Sequence, residues 1–230
     1  MNKTLEEMAQ AIFKSWFVDF EPFQGSEFVD SELGRIPKGW RVGTLTEIAD
    51  FLNGLAMQKY RPTEGEMGLP VLKIKELGQA RTDSNSDICT SKLDAKYIVH
   101  DGDIIFSWSG TLLVDIWCGG TCGLNQHLFK VTSKTHPKWY IYFWTKSHLV
   151  RFQAIARDKA TTMGHIKRGE LDNSKVLIPD DKSMKKLNGT MMPLIDMLIT
   201  NKVQSQLLEK TRDDLLPRLM NGEIRVPTNP

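Results

Sequence analysis

The segment at residues 187–219 constrains this chain most. Leu187, Met191, Leu194, Leu198, Leu208, Leu215 and Leu219 recur at helical spacing with Lys202, Glu209, Lys210, Arg212 and Asp213 between them, the pattern of an amphipathic helix. At about 1.5 Å per residue it spans about 50 Å, so part of it should project beyond a compact core and seek a partner. The plainer alternative is a terminal helix docked along its own domain. Asn201 and Ser205 interrupt the apolar stripe near its middle, and a polar break in such a seam can fix register between paired helices.

The rest of the chain must hold the core. With 230 residues, 40% hydrophobic and 25% charged, one or two domains are expected and disorder is not. The net charge of +2 hides a gradient: residues 1–52 carry five Lys/Arg against nine Asp/Glu, and residues 134–186 carry twelve against five. A local basic face suits phosphate, although an ordinary lysine-rich surface has the same composition. Cys89, Cys118 and Cys122 make an odd count, which suits a reducing compartment. Cys118 and Cys122 resemble half of a zinc site, but neither His100 nor His127 completes a recognisable motif, and no metal is expected. The acidic start argues against a signal peptide, and no apolar run of about 18 residues occurs. A cytoplasmic location with no membrane contact is expected.

Residues 3–20 read as a helix, with Thr4 as N-cap, Glu7 three residues on, and Leu5, Met8, Ile12, Phe13 and Trp16 on one face. Pro22 stops it. Too short to bury that face alone, it should lie against the helix at the far end of the chain. Residues 45–52 read as a short helix or turn. Residues 69–74, 97–99, 103–108, 112–117, 127–132 and 176–178 read as strands, rich in apolar residues and bounded by turn formers. Residues 139–157 carry Tyr140, Phe143, Trp144, Leu149, Phe152 and Ile155 at helical spacing, the pattern of one buried helix. The fold class expected is α+β: a mixed globular domain at residues 24–182, flanked by a short N-terminal helix (1–23) and a long coiled-coil-type C-terminal helix (183–225), with a tail at 226–230.

Catalytic motifs are missing. No G-x-G-x-x-G occurs, the C-terminal Asn-Pro has no following aromatic residue, and no G-x-S-x-G elbow is present. Asp180 and Asp181 precede lysines, yet they stand at a strand exit where solvated turn residues are expected. The chain reads as a binding protein with no catalytic residues and no cofactor of its own. Two segments suit base edges and phosphates: GDIIFSWSGT (102–111) followed by GLNQHLFKV (123–131), and ATTMGHIKRGEL (160–171) in the basic region. The bland alternative is that Ser107, Asn125 and Gln126 satisfy buried backbone, and that Lys167 and Arg168 form a solvated turn.

These segments, together with TLEEMAQAIFKSWF (4–17), IPKGW (36–40) and a final helix running into PRLMNGEI (217–224), closely resemble the target recognition domain and helices of the specificity subunits of type I restriction-modification systems. The resemblance covers nearly the whole chain. It implies a non-catalytic subunit that reads double-stranded DNA and holds adenine methyltransferase subunits, which use S-adenosylmethionine, and in a full system restriction subunits, over a bipartite site. A usual member has two recognition domains, whereas this chain resembles a half-subunit with one. Two copies paired through their long helices would restore two recognition domains and read an inverted repeat. The alternatives are a fragment of a longer subunit and a protein-binding decoy for methyltransferase subunits.

The residues assigned to DNA contact are Lys73, Lys75, Ser107, Ser109, Thr111, Lys159, Thr161, Thr162, His165, Lys167 and Arg168. Gly102, Asp103, Leu124, Asn125, Gln126 and Phe129 are assigned to the scaffold. Leu187, Met191, Leu194, Leu198, Asn201, Ser205, Leu208 and Leu215 are assigned to the dimer seam.

Overall fold

The computed structural model describes residues 2–158 and 164–224. Helix α1 (Asn2–Phe17) begins two residues before Thr4, which therefore lies in the first turn instead of capping it. A hairpin of β1 (Phe28–Ser31) and β2 (Gly34–Pro37) follows, then β3 (Arg41–Thr44), α2 (Leu45–Ile48), β4 (Asp50–Asn53), β5 (Leu69–Leu72) and α3 (Ile74–Gln79). Six short strands come next: β6 (Ile88–Cys89), β7 (Ile98–Val99), β8 (Ile104–Ser107), β9 (Val114–Ile116), β10 (Cys122–Leu124) and β11 (Leu128–Thr132). The chain closes with α4 (Lys138–Ser147), α5 (Leu149–Asp158), α6 (Gly169–Asp172), β12 (Lys175–Ile178) and α7 (Asp181–Met220).

This is the expected α+β class, with a short helix at one end and a long one at the other. Five details differ from the sequence reading. The run at 69–74 is a strand only to Leu72, and Lys73 stands at the N-cap of the helix that starts at Ile74. Residues 139–157 form two helices, separated at His148, whose Nε2 lies 2.9 Å from the Lys175 carbonyl oxygen. Residues 45–52 divide into one helical turn and the start of β4. Tyr97 ends a 3-10 turn before β7. Residues 112 and 113 stay outside β9. The hairpin, β3, β6 and β10 are additional strands of two to four residues, too short to show an alternating pattern.

Two four-stranded sheets organise the centre, one in the order β4-β11-β8-β9 and the other β6-β5-β10-β7. β8 is buried along its whole length. Its period of two places Ile104 and Phe106 in the larger core with α4, while Ile105 enters a second cluster with Leu72, Leu124 and Leu128. The pair β12-β3 joins the two ends of the domain. Gly39, at φ +92, makes the turn that feeds it, and a Cβ there would stand 3.3 Å from Asp180 Oδ2.

α1 packs on α7, as expected, while its aromatic end meets α4. Ala9, Phe13, Trp16 and Phe17 are buried, and the three rings meet α4, with centroids 5.4 Å apart for Phe13 and Phe143, 6.2 Å for Trp16 and Trp139 and 5.7 Å for Phe17 and Tyr140. Two polar clamps lock these helices down. Glu6 accepts hydrogen bonds from Lys146 and, at 2.7 Å, from the Tyr142 hydroxyl, and Lys202 of α7 pairs with Asp115 of β9 at 2.7 Å. Burial alone would raise the Glu6 carboxyl, but the hydrogen bonds from Lys146 and Tyr142 and the charges of Lys146 and Lys202 outweigh it and hold it below the usual range.

A carboxyl with a depressed folded pKa stabilises the fold above its unfolded pKa and loses that contribution as pH falls through the folded value. Glu6→Gln is therefore expected to lower the melting temperature at neutral pH. The gap from wild type should close below about pH 4, where the wild-type carboxyl is itself becoming protonated. Thermal melts from pH 7 to pH 3 check this; parallel curves across that range would show that Glu6 is not the titrating group.

α7 starts where the Asp180 carboxylate accepts from the Ser183 amide at 2.9 Å. It passes through Pro193 because the carbonyl that the ring frees belongs to Gly189, and both residues face solvent. Leu187, Met191, Ile195 and Leu198 enter the domain core, and Leu194 is half-buried against it. The first four seam residues assigned from the sequence thus cover the chain's own core, which corrects their reading as an open partner surface. Asn201 is half-buried and Ser205 exposed. Gln206 donates to the Ala80 carbonyl at 3.2 Å. Beyond it Leu207, Leu208, Leu215, Leu216, Leu219 and Met220 are exposed, 69% in the case of Leu208. This outer segment spans about 20 Å. Among the described residues, no helix is long and apolar enough to cross a membrane.

Candidate nucleic-acid interface

The ends of β4 and β8 and the turn into β11 meet around Trp108. Register brings them together: β11 pairs with β4 through Phe129 and Asn53 and with β8 through Leu128 and Ser107. Gly54 lets the chain beyond β4 press against the β10–β11 turn, since a Cβ there would stand 2.2 Å from the Asn125 carbonyl oxygen. The Leu55 amide donates to Leu124, and the Gln126 amide donates to Leu55, both at 2.9 Å. Asn53 and Gln126 are thereby held at one edge.

Trp108 is half-buried, with its ring 6.0 Å from His127, 5.8 Å from Phe129 and 6.3 Å from His165. Its indole Nε1–H donates to Asn53 Oδ1 at 3.1 Å. Behind it His127 lies between Ser109, whose Oγ is 2.9 Å from Nδ1, and Gln126, whose Nε2 is 3.3 Å from the His127 Nε2. The Ser109 hydroxyl and the Gln126 amide each carry a donor and an acceptor, so the pair satisfies His127 in either tautomer. The other end of the Gln126 amide has no hydrogen-bond partner among the described residues.

The basic segment is stitched to the same edge. The Gly110 amide donates to Gly164 at 2.8 Å, Ser109 bridges His165, and the Ile166 amide donates to Trp108 at 3.1 Å. Ile166 and Leu171 are buried and anchor the segment, leaving His165, Lys167 and Arg168 exposed. Arg168 reaches the Phe51 carbonyl at 3.4 Å, while Lys167 has no ion-pair or hydrogen-bond partner among the described residues. Next to them a cleft of about 390 Å³ is lined by Gly110, Thr111, Leu112, Gln153, Ala156, Arg157 and Gly164. A half-buried aromatic platform, side-chain amides, and cations with no ion-pair partner among the described residues share one edge, and such groups are the means by which proteins read bases and hold phosphates.

The structure divides the residues assigned to DNA contact. Thr111, His165, Lys167 and Arg168 come together on this edge. Ser107 and Ser109 do not reach the surface, being 0% and 3% exposed. Ser107 donates to the Ser109 carbonyl at 3.1 Å and Ser109 backs His127, so their contact role gives way to a supporting one. Lys73 and Lys75 belong to the other sheet's margin and are paired with Asp87 at 2.6 Å and Asp83 at 3.5 Å. Lys159, Thr161 and Thr162 lie outside the described residues. Of the scaffold residues, Gly102, Leu124, Asn125 and Phe129 are buried and Asp103 pairs with Lys130 at 2.7 Å, whereas Gln126 is half-exposed. Asn53, Trp108 and His127 are not among the residues assigned to contact, although the segments 102–111 and 123–131 contain the last two. Cys118 and Cys122 are buried thiols pushed up to about 11 and about 12 by desolvation, and among the described residues no cluster of three metal-ligating side chains occurs.

Lys167→Ala is expected to weaken DNA binding by a similar factor for all sequences and to reduce the salt slope by about one. Titrations at several salt concentrations check this, and an unchanged slope would remove Lys167 from the interface.

Comparison with known proteins gives one family over most of the chain. Residues 37–209 match the family described as type I restriction modification DNA specificity domain. The MjaIX type I restriction enzyme specificity subunit of Methanocaldococcus jannaschii is 30% identical over 98% of this chain and 54% of its own length. The HindI specificity subunit of Haemophilus influenzae is 18% identical over 97% of this chain and 62% of its own. A solved HsdS subunit from Thermoanaerobacter tengcongensis, 16% identical, is covered over 97% of this chain and 52% of that one at a TM-score of 0.49. The chain spans about half the length of the curated relatives that it matches.

Proposed function

The chain belongs to the type I restriction-modification DNA specificity family, and we propose that it is a non-catalytic subunit that reads duplex DNA by sequence through the edge centred on Trp108. The observation that carries this reading is the convergence of Trp108, Asn53, Gln126, His165, Lys167 and Arg168 from four separate stretches of chain onto one exposed edge. Base readers there supply discrimination, and the basic rim supplies affinity that falls with salt. Adenine methyltransferase subunits, with their own S-adenosylmethionine, and restriction subunits are the partners that membership proposes. The cytoplasm is the corresponding location.

A single such edge reads one short half-site. The exposed leucines at the outer end of α7 support pairing of two copies across a two-fold axis, with recognition of an inverted repeat whose spacer the helices set. Binding of the purified full chain to a pool of random duplexes, followed by sequencing of the bound fraction, tests the reading. Enrichment of a defined motif is expected; a bound fraction no different from the input would overturn it.

A further inference from the structure

We propose that Asn53 is a specificity-determining residue that presents a donor-only face to the DNA, and that Trp108 is the positioning residue that enforces this polarity. The inference rests on the DNA-reading function proposed above. An asparagine amide on a surface normally turns over freely, offering either its oxygen or its NH₂ group, and so discriminates poorly between donors and acceptors. Asn53 is restricted. The Trp108 indole can only donate, and it donates to Asn53 Oδ1 at 3.1 Å, which fixes the carbonyl inward and the NH₂ group outward without any choice of flip.

Trp108 is itself immobilised. Its ring packs on Phe129 and faces His127 and His165, and its carbonyl accepts from the buried Ile166 at 3.1 Å. On the other side, Asn53 sits in β4 opposite Phe129, immediately before the close approach at Gly54. The NH₂ group has no partner among the described residues, and the side chain is exposed on the edge that carries Lys167 and Arg168. Its chemical match is a base edge offering an acceptor in the major groove, guanine O6 or N7, thymine O4 or adenine N7, and it disfavours cytosine, whose edge offers only the N4 amine.

The test is selection of bound sequences from random duplexes by the full chain, for wild type, Asn53→Ala, Asn53→Asp and Trp108→Phe, with a melting curve for each. In wild type, one position is expected to favour a base with an acceptor edge. Asn53→Ala should lose that preference by roughly 10- to 100-fold at the one position. Asn53→Asp, which still accepts from the indole but offers only acceptors outward, should turn the preference toward the amines of cytosine or adenine. Trp108→Phe keeps the apolar ring but frees the amide to flip, so the same position should accept both classes while the others hold. This blurring separates positioning from simple packing. The two Asn53 variants are surface changes that carry the test even if Trp108→Phe folds poorly. A wild-type motif retained unchanged in both Asn53 variants overturns the assignment alone, as does a uniform loss over all sequences, the signature of a phosphate contact. A wild-type chain with no sequence preference overturns the DNA-reading function and this assignment with it.

Discussion

Changing Leu208 and Leu215 together to serine is expected to leave a folded chain that sediments as a monomer. It should bind a duplex with two half-sites about 10²- to 10⁴-fold more weakly than wild type, while its affinity for one half-site is unaltered. The two leucines are 69% and 38% exposed and lie beyond Gln206, the last residue of α7 with a described hydrogen bond to the domain, so their loss removes nothing from the core. Seven residues apart, they fall on one side of the helix with Leu219. Each fully covered leucine contributes about 1.5–3 kcal/mol, and a two-fold seam counts each twice. The effect is large because pairing turns a second binding event into an intramolecular one. A double variant with wild-type sedimentation and wild-type affinity for the paired site would show that the outer helix is not the seam.

Phe13→Ala addresses the opposite end of the chain and should cost about 3–5 kcal/mol. Phe13 is 6% exposed, stacks on Phe17 at 4.7 Å and on Phe143 at 5.4 Å, and meets the edge of Trp144 at 5.3 Å. Removing the ring opens a hole between α1 and α4 that surrounding aromatic rings are too rigid to fill. For a chain of this size the loss corresponds to a fall of about 10 °C in melting temperature. Calorimetry or a thermal melt checks it. A loss below about 1 kcal/mol would mean that α1 is an appendage rather than part of the core.

The two terminal helices were legible because period 3.6 repeats often enough in α1 and α7 to stand out. So was the class of the central domain, since the runs around Ile104 and Val131 are apolar and end at turn formers. The break at His148 was not, because apolar residues continue at helical spacing through Phe152. In α7 the spacing located the helix but not its two environments: Leu187 and Leu208 obey the same pattern, and only the packing shows that one faces the core and the other faces solvent.

The candidate interface was readable in part for a similar reason. Thr111, His165, Lys167 and Arg168 were identified by their chemistry and proved neighbours. Ser107 and Ser109 carry the same chemistry, but Ser107 ends a strand buried on both faces and Ser109 follows it into the interior, a condition that alternation cannot reveal in a continuous apolar run. Asn53 gave no signal, since a polar residue after Phe51 and Leu52 is indistinguishable from an ordinary turn residue. What singles it out is its hydrogen bond from Trp108, a contact across 55 positions of sequence.

Sequencing of the duplexes selected by the full wild-type chain, at two salt concentrations, tests the central claim most directly. The expected result is an inverted repeat of two identical short half-sites separated by an unread spacer of constant length, with affinity falling steeply at the higher salt while the motif persists. A pool that stays unenriched at both salts, or a motif without two-fold symmetry, would contradict it.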